Sequence, residues 1–312
     1  NAAGLPLAAP GSEESAVRAN GKKPSSSKRF WEKPAVREEF FGYLFALPVI
    51  LGLIIFTFIP AVQGFVYAFF NYNGFTEMEF VGLKNFVTFF TLDRDMPYLF
   101  RNTFTFAIIN VPLSMVLGYV IALLVNTSMK GVRVFRTIFY LPCVIPGVAS
   151  ALLWQVLFAV NGGIMIEFLS SLGLPTGTFF DEASSSMATF IWTTTWSAGG
   201  SMVIWLAAFK NVPTQLYEAA TLDGADYMQK VFYVTIPMST PMIFYNLING
   251  IIGSLQMFNT FIVASNTGGR GIDNSLYMFA VKIYRTAFVG TNTQLGYASA
   301  VGIVLFVIIL IL

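Results

Sequence analysis

Histidine is absent from the 312 residues and cysteine occurs once, at Cys143. A His-based catalytic triad, an imidazole metal cluster and an internal disulfide are therefore excluded. Charge is nearly as scarce: Asp, Glu, Lys and Arg make up 11% of the chain, against about 25% in a soluble domain. An ordinary soluble globule is ruled out. A net charge of +2, with no basic stripe interleaved with stacking aromatics, leaves no footprint for nucleic acid as a partner. The phosphate-cradling G-x-x-x-x-G-K-[ST] loop is missing too, so the chain is not itself an ATPase of that type, and it is not read as an enzyme.

What is abundant is apolar side chain: 55% of residues are hydrophobic and the mean hydropathy is +0.67. A helix crosses the ~30 Å hydrocarbon core with roughly 20 such residues. Six runs free of Asp, Glu, Lys and Arg stand out: Tyr43 to Phe70, Thr103 to Val125, Thr137 to Val160, Met187 to Phe209, Met242 to Ala264, and Tyr297 to Leu312. They predict an all-α, polytopic membrane protein with six transmembrane helices over residues 41–312. The sixth run ends inside an apolar stretch, and a polar flank is expected beyond it. Residues 1–40 read as a disordered, cytoplasmic N-terminal segment, with residues 1–29 a native or added leader rich in Ala, Gly, Pro and Ser.

Lys and Arg near span ends are retained on the cytoplasmic side. With the N-terminus inside, twelve of the 18 basic residues face the cytoplasm, among them Lys130, Arg133, Arg136, Lys210 and Lys230. This orientation is therefore predicted. The external segment Asn71 to Asn102 reads as a loop with short helical pieces. In Asn161 to Ser186, Gly162-Gly163, Gly173, Pro175 and Gly177 suit turns.

Secondary carriers and ion channels usually place an ionisable residue at membrane depth to bind the driving ion. None of the six runs has one. An intramembrane protease lacking His would need a Lys beside its Ser, and that is missing as well. If the chain moves a solute uphill, its energy is expected from another subunit.

The longest internal connection, residues 210–241, is unlike a passive linker. After Pro213, a favoured first-turn residue, Gln215 to Thr221 are good helix formers. Gly224 permits a break, Met228, Val231, Phe232 and Val234 supply a second amphipathic stretch, and Pro237 and Pro241 redirect the chain. The reading is a helix-turn-helix at the cytoplasmic surface, able to dock a short helix into a partner's groove with Glu218 available to a basic residue there.

The pattern Glu218-Ala219-Ala220, Asp223-Gly224-Ala225, Ile236-Pro237 and Pro241 resembles the EAA loop of inner-membrane permeases of binding-protein-dependent ABC importers. With Gln229, Phe258-Asn259, the Thr267-Gly268-Gly269 turn, Tyr284 and Gly296-Tyr-Ala-Ser-Ala300, the resemblance is to the carbohydrate-uptake, maltose-type branch. It covers residues 40–312 and departs at Arg270, where relatives often carry Pro. It implies an ABC type I importer permease fold in a bacterial plasma (inner) membrane. The implied partners are a second homologous permease, two cytoplasmic ATPase subunits and an extracellular solute-binding protein. It also implies no cofactor on this chain, since ATP and Mg would be bound by the partner ATPase. By that resemblance Glu218, Ala219, Ala220 and Gly224 would couple to the ATPase, with Asp223 and Ala225 supporting the turn.

In the fifth run Asn246, Asn249, Gly253, Gln256 and Thr260 recur every three or four residues, which puts them on one side of a continuous helix. Amides and hydroxyls there suit sugar hydroxyls along a pathway, and equally suit hydrogen bonding between spans. The fourth run offers Thr193-Thr-Thr195, Trp196, Ser197, Gly199, Gly200 and Ser201. Trp196 and Ser201 are pathway candidates, and an interfacial belt with close helix packing is the alternative. Pro142 and Pro146 predict a kink in the third run. The expected cargo is a neutral oligosaccharide or related sugar; the alternative is a glycerol phosphodiester or polyol.

Overall fold

The structure, a computed structural model, describes residues 34–127, 130–159, 162–174 and 177–312. Residues 1–33, Val160, Asn161 and Pro175, on which parts of the readings above rest, lie outside them. Among the described residues every regular element is helical except one short antiparallel pair, Phe70–Asn71 with Glu79–Phe80. The chain divides after Pro60 into two compact units. In the first, the helix Pro34–Leu53 leads into a π turn at Ile54–Phe58. The uninterrupted apolar stretch Phe40–Tyr67 has 28 residues, enough at about 1.5 Å each to cross hydrocarbon with some tilt.

The second unit is arranged around the helix Met96–Val125, 30 residues long and the second predicted span. Three apolar clusters are strung along it. Leu99 and Ala107 belong to one with Phe89, Phe279 and Val301; Phe106 to another with Phe190 and Met278; Ala122 and Val125 to a third with Met202, Trp205 and Phe209. Apolar burial alone does not drive helices together in lipid, so close approach through small residues carries more of the packing. A Cβ on Gly118 would collide with Ser201 of the fourth span, and one on Gly199 with the Phe139 carbonyl of the third. Bulk at either position would push the spans apart.

Three of the remaining spans depart from straight helices, the third and fourth for local reasons. The third runs Val132–Val144, then Gly147–Leu157, with a 94° bend between. Ile145 precedes Pro146 and is extended, at φ −73° and ψ 124°, as steric conflict with a following proline ring demands. The fourth is helical over Ala183–Thr195 and Gly199–Lys210, joined by a 3₁₀ turn at Trp196–Ala198. There Thr193, Thr195, Ser197 and Ser201 each donate to the carbonyl three residues back, a pattern that bends helices.

The fifth span differs most from expectation. The hairpin helix Tyr227–Met238 enters it at 69°, the redirection expected of Pro237 and Pro241, but the span itself, Thr240–Leu255, stops at Leu255 and resumes only at Thr260–Val263. The sixth, Leu295–Ile311, is a single apolar helix. The loop between the first and second spans carries the helix Lys84–Thr91, and the one between the third and fourth carries Ile164–Ser171.

Candidate functional site: a charge-free cavity and a helical hairpin

Beside the bend of the third span and the interruption of the fifth lies a cavity of about 630 Å³, walled by the second, third, fourth and fifth spans. Among the described residues no Asp, Glu, Lys or Arg lines it. Its wall carries amides at Asn110, Asn246, Asn249 and Asn259, hydroxyls at Ser114, Thr194 and Ser197, and the indole of Trp154. The interrupted backbone around Met257 and Asn259 borders the same space. Non-helical backbone at membrane depth is tolerated where it lines a cavity or is packed in protein, because hydrocarbon offers no hydrogen bonds. The break in the fifth span is therefore in physical register with the cavity.

Asn110 organises the wall. Its Oδ1 accepts from Thr194 Oγ1 at 2.9 Å and from Ser114 Oγ at 3.5 Å, and its Nδ2 donates to Ser254 Oγ at 3.5 Å. Three spans thus converge on one buried amide. Asn246 and Asn249 each donate Nδ2 to the carbonyl four residues back, at 2.8 Å. That leaves their Oδ1 acceptors for the hydroxyl of a ligand.

The structure separates the predicted pathway residues. Asn246, Asn249, Gly253 and Ser201 line the cavity; a Cβ at Gly253 would meet no atom within 4 Å. Gln256 and Thr260 do not, because the helical stripe that should have aligned them ends at Leu255. Gln256 is exposed, and Thr260 is fully buried with its hydroxyl unpartnered. Trp196 also stands outside the lining, its ring 5.1 Å from Trp154 and edge-on to it. Asn110, Ser114 and Ser254 have no reading as site residues from the sequence, and Trp154, which reads there as a belt or core indole, borders the cavity. An amide alone in the uncharged second run was the available signal for Asn110.

In the connection at 210–241 the helix Thr214–Leu222 ends in a Schellman arrangement. Ala225 N–H reaches the Ala220 carbonyl at 2.9 Å, Gly224 N–H reaches Thr221 at 3.1 Å, and Gly224 sits at φ +80°. Left-handed backbone of this kind is what glycine supplies at a helix stop. Asp226 then starts the next helix with a capping box: its carboxylate accepts from Gln229 N–H at 2.7 Å while Gln229 Oε1 accepts from Asp226 N–H at 2.8 Å. Glu218, Ala219, Asp223 and Gly224 are exposed, and Ala220 and Ala225 half-buried. Leu222 is 90% exposed and Leu216 40%, an uncovered apolar edge beside Glu218.

Residues 115–312 match the family described as binding-protein-dependent transport system inner membrane component. The chain belongs to that family. The permease is 35% identical over 270 residues to the probable ABC transporter permease protein YesP of Bacillus subtilis, covering 86% of each chain. It is 29% identical to the arabinooligosaccharides transport system permease protein AraP of Halalkalibacterium halodurans, covering 97% of this chain and 93% of that one. Its fold matches a bacterial alginate ABC transporter chain with a TM-score of 0.73 at 24% identity, over 91% of this chain and 94% of that one. The permease is thus a multi-pass component of an importer in the inner membrane, and ATP hydrolysis belongs to a separate subunit. At the position where the branch it resembles often has Pro, its Arg270 binds Asp95, at 3.2 Å from Nη1 to Oδ1.

Proposed function

We propose that the permease passes an uncharged saccharide, delivered by an extracellular solute-binding protein, through the cavity under Asn110. The observation that carries this reading is the lining itself: amide and hydroxyl groups, an indole face and no charge. Saccharides offer many hydroxyls to such groups and an apolar C–H face to a ring. A glycerol phosphodiester would leave a desolvated anion without a cation in this wall, at a cost that disfavours it. The named relative that carries arabinooligosaccharides fits the same class.

In this reading a second homologous permease completes the passage, and two cytoplasmic ATPase subunits bind the ATP and Mg, leaving this chain without a cofactor. The N-terminus lies in the cytoplasm. The hairpin at 210–241 docks on an ATPase through Glu218, Ala219, Ala220 and Leu222, with Asp223, Gly224 and Ala225 fixing its turn. The test is uptake by the complete importer in proteoliposomes, supplied with its binding protein and a panel of neutral and anionic oligosaccharides. ATP-dependent uptake of neutral sugars supports the reading. Uptake confined to anionic solutes, or driven by an ion gradient without ATP, overturns it.

A further inference from the structure

We infer that Tyr217, Thr235, Ser239 and Tyr119 form a hydroxyl ladder that carries movement of the cytoplasmic helix Thr214–Leu222 into the two walls of the cavity. The inference rests on the docking of that helix proposed above and adds the residues through which it acts. While Glu218 and Leu222 face outward, Tyr217 turns inward, and its hydroxyl lies 3.0 Å from Thr235 Oγ1. Thr235 is 3% exposed and closes the π turn Val231–Thr235. Turns of this type are uncommon and frequent at functional positions.

Thr235 Oγ1 also reaches the Lys230 carbonyl at 3.3 Å, which ties the Tyr217–Thr235 hydroxyl pair to the backbone of the π turn whichever of the two donates. Ser239 Oγ donates to the Thr235 carbonyl at 2.7 Å, which leaves its lone pairs to the Tyr119 hydroxyl, 3.4 Å away. Both tyrosines are therefore bonded into the bend, one from the cytoplasmic helix and one from the second span.

The position of the bend gives the ladder its consequence. Ser239 is 1% exposed and sits at the 69° junction between Tyr227–Met238 and Thr240–Leu255. Beyond the junction the same helix carries Asn246 and Asn249. Tyr119 stands on the helix that carries Asn110 and Ser114, its ring edge-on to Trp205 at 5.0 Å and Phe209 at 5.1 Å. A push on Thr214–Leu222 thus meets a buried junction tied to both cavity walls. Without the two tyrosine hydroxyls the hairpin could move while the spans stayed put. The four are positioning residues, since none of them lines the cavity.

The test uses the complete importer in proteoliposomes and reads solute translocated per ATP hydrolysed for Tyr217→Phe, Tyr119→Phe and the double variant. Each single change should lower that ratio about fivefold, and the double should fall little further, because one ladder is cut twice. Ser239→Ala should behave alike and Ser239→Thr should restore the ratio, which guards against a folding defect in either tyrosine variant. An unchanged ratio in Tyr217→Phe and Tyr119→Phe, or equal defects in Ser239→Ala and Ser239→Thr, overturns the ladder. Cross-linking to the ATPase subunit from Gln215→Cys, an exposed position on the same helix outside the docking residues, with both tyrosines intact, reads docking by itself. Its failure overturns the docking reading, and with it the ladder's input; its success with an unchanged ratio overturns the ladder alone.

Discussion

Lys282 Nζ lies 2.8 Å from Asp93 Oδ2, although most of the chain separates the two residues. The same ammonium is 2.8 Å from Asp95 Oδ2, and Tyr297 donates to Asp93 at 2.6 Å. Lys282 is 8% exposed. This network pins the loop ahead of the second span to the helix Phe279–Phe288 and the start of the sixth span. It ties these three segments together away from the cavity lining and the hairpin.

Removing the cation should cost more than the network is worth, because the Asp93 carboxylate would remain partly buried with no cation, while Asp95 would keep only Arg270. Lys282→Met is expected to destabilise the permease by about 3–5 kcal/mol. Adding Asp93→Asn should recover part of the loss by removing one stranded charge. Denaturant unfolding in a fixed detergent checks both; a loss below about 0.5 kcal/mol in Lys282→Met, typical of an inert surface change, would refute the role.

The same groups set a pH window. Burial works against the Asp93 carboxylate, but hydrogen bonds from Lys282, Tyr297 and the Asp95 main chain outweigh it and hold the carboxyl below its ordinary value of 3.8. Its contribution is therefore complete above 3.8 and is lost as pH falls through the lowered value. Burial likewise opposes the Lys282 ammonium, yet Asp93 and Asp95 raise it above 10.5. That contribution is complete below 10.5 and is lost as pH rises through the raised value. Unfolding measured against pH should show the wild type losing stability at both edges more steeply than Lys282→Met. Parallel curves would contradict the assignment.

Asn249 and Gln256 were equivalent in the sequence and are not equivalent in space. Asn249→Leu removes an amide from the cavity wall, and the half-saturating sugar concentration should rise about tenfold if roughly 1.4 kcal/mol of binding is lost. Gln256→Leu, outside the lining, should change it less than twofold. Dose-response curves of uptake decide; a larger effect at Gln256 would show that the stripe, and not the cavity, marks the pathway.

Cys143 provides a native probe, being the single thiol of the chain. It lines the cavity and donates to the Ser197 carbonyl at 3.2 Å. A water-soluble maleimide should label it in the assembled importer, and transported sugar should slow labelling several-fold by filling the space. Mass spectrometry of the permease subunit gives the rate, and labelling indifferent to sugar would place the pathway elsewhere.

The sequence and the structure agree where a signal is local. Pro146 announced the bend of the third span, and Gly224 the break in the hairpin, because each residue dictates its own backbone. The interruption after Leu255 carries no such mark: Gln256, Met257, Phe258 and Asn259 include neither Gly nor Pro. What the interruption meets is distant in sequence: Asn259 lies beside Gly147, the first residue of the second half of the bent third span, where a Cβ would come 3.1 Å from its Nδ2. An assumed continuous helix therefore carried Gln256 and Thr260 into the predicted pathway. The Asp93–Lys282 pair escaped for the same reason, and its residues read simply as loop charges. Asn110 was visible as an odd amide in an apolar run, but its partners Thr194 and Ser254 lie on other spans.

Gly224 offers the sharpest separation of conformation from contact. A Cβ there would meet nothing within 4 Å, so substitution cannot act by collision within this chain. What it changes is the energy of holding φ at +80°, about 1–2 kcal/mol for an ordinary L-residue and less for Asn, which tolerates left-handed backbone. Uptake should therefore fall in the order Gly224, Gly224→Asn, Gly224→Ala, with Gly224→Val lowest because branching at Cβ adds its own restriction. If the turn instead mattered because an ATPase surface presses on the bare glycine, Asn would be worse than Ala, being the larger. Uptake per assembled complex across the three variants distinguishes the two orders, and the second would move Gly224 from a helix stop to a contact point.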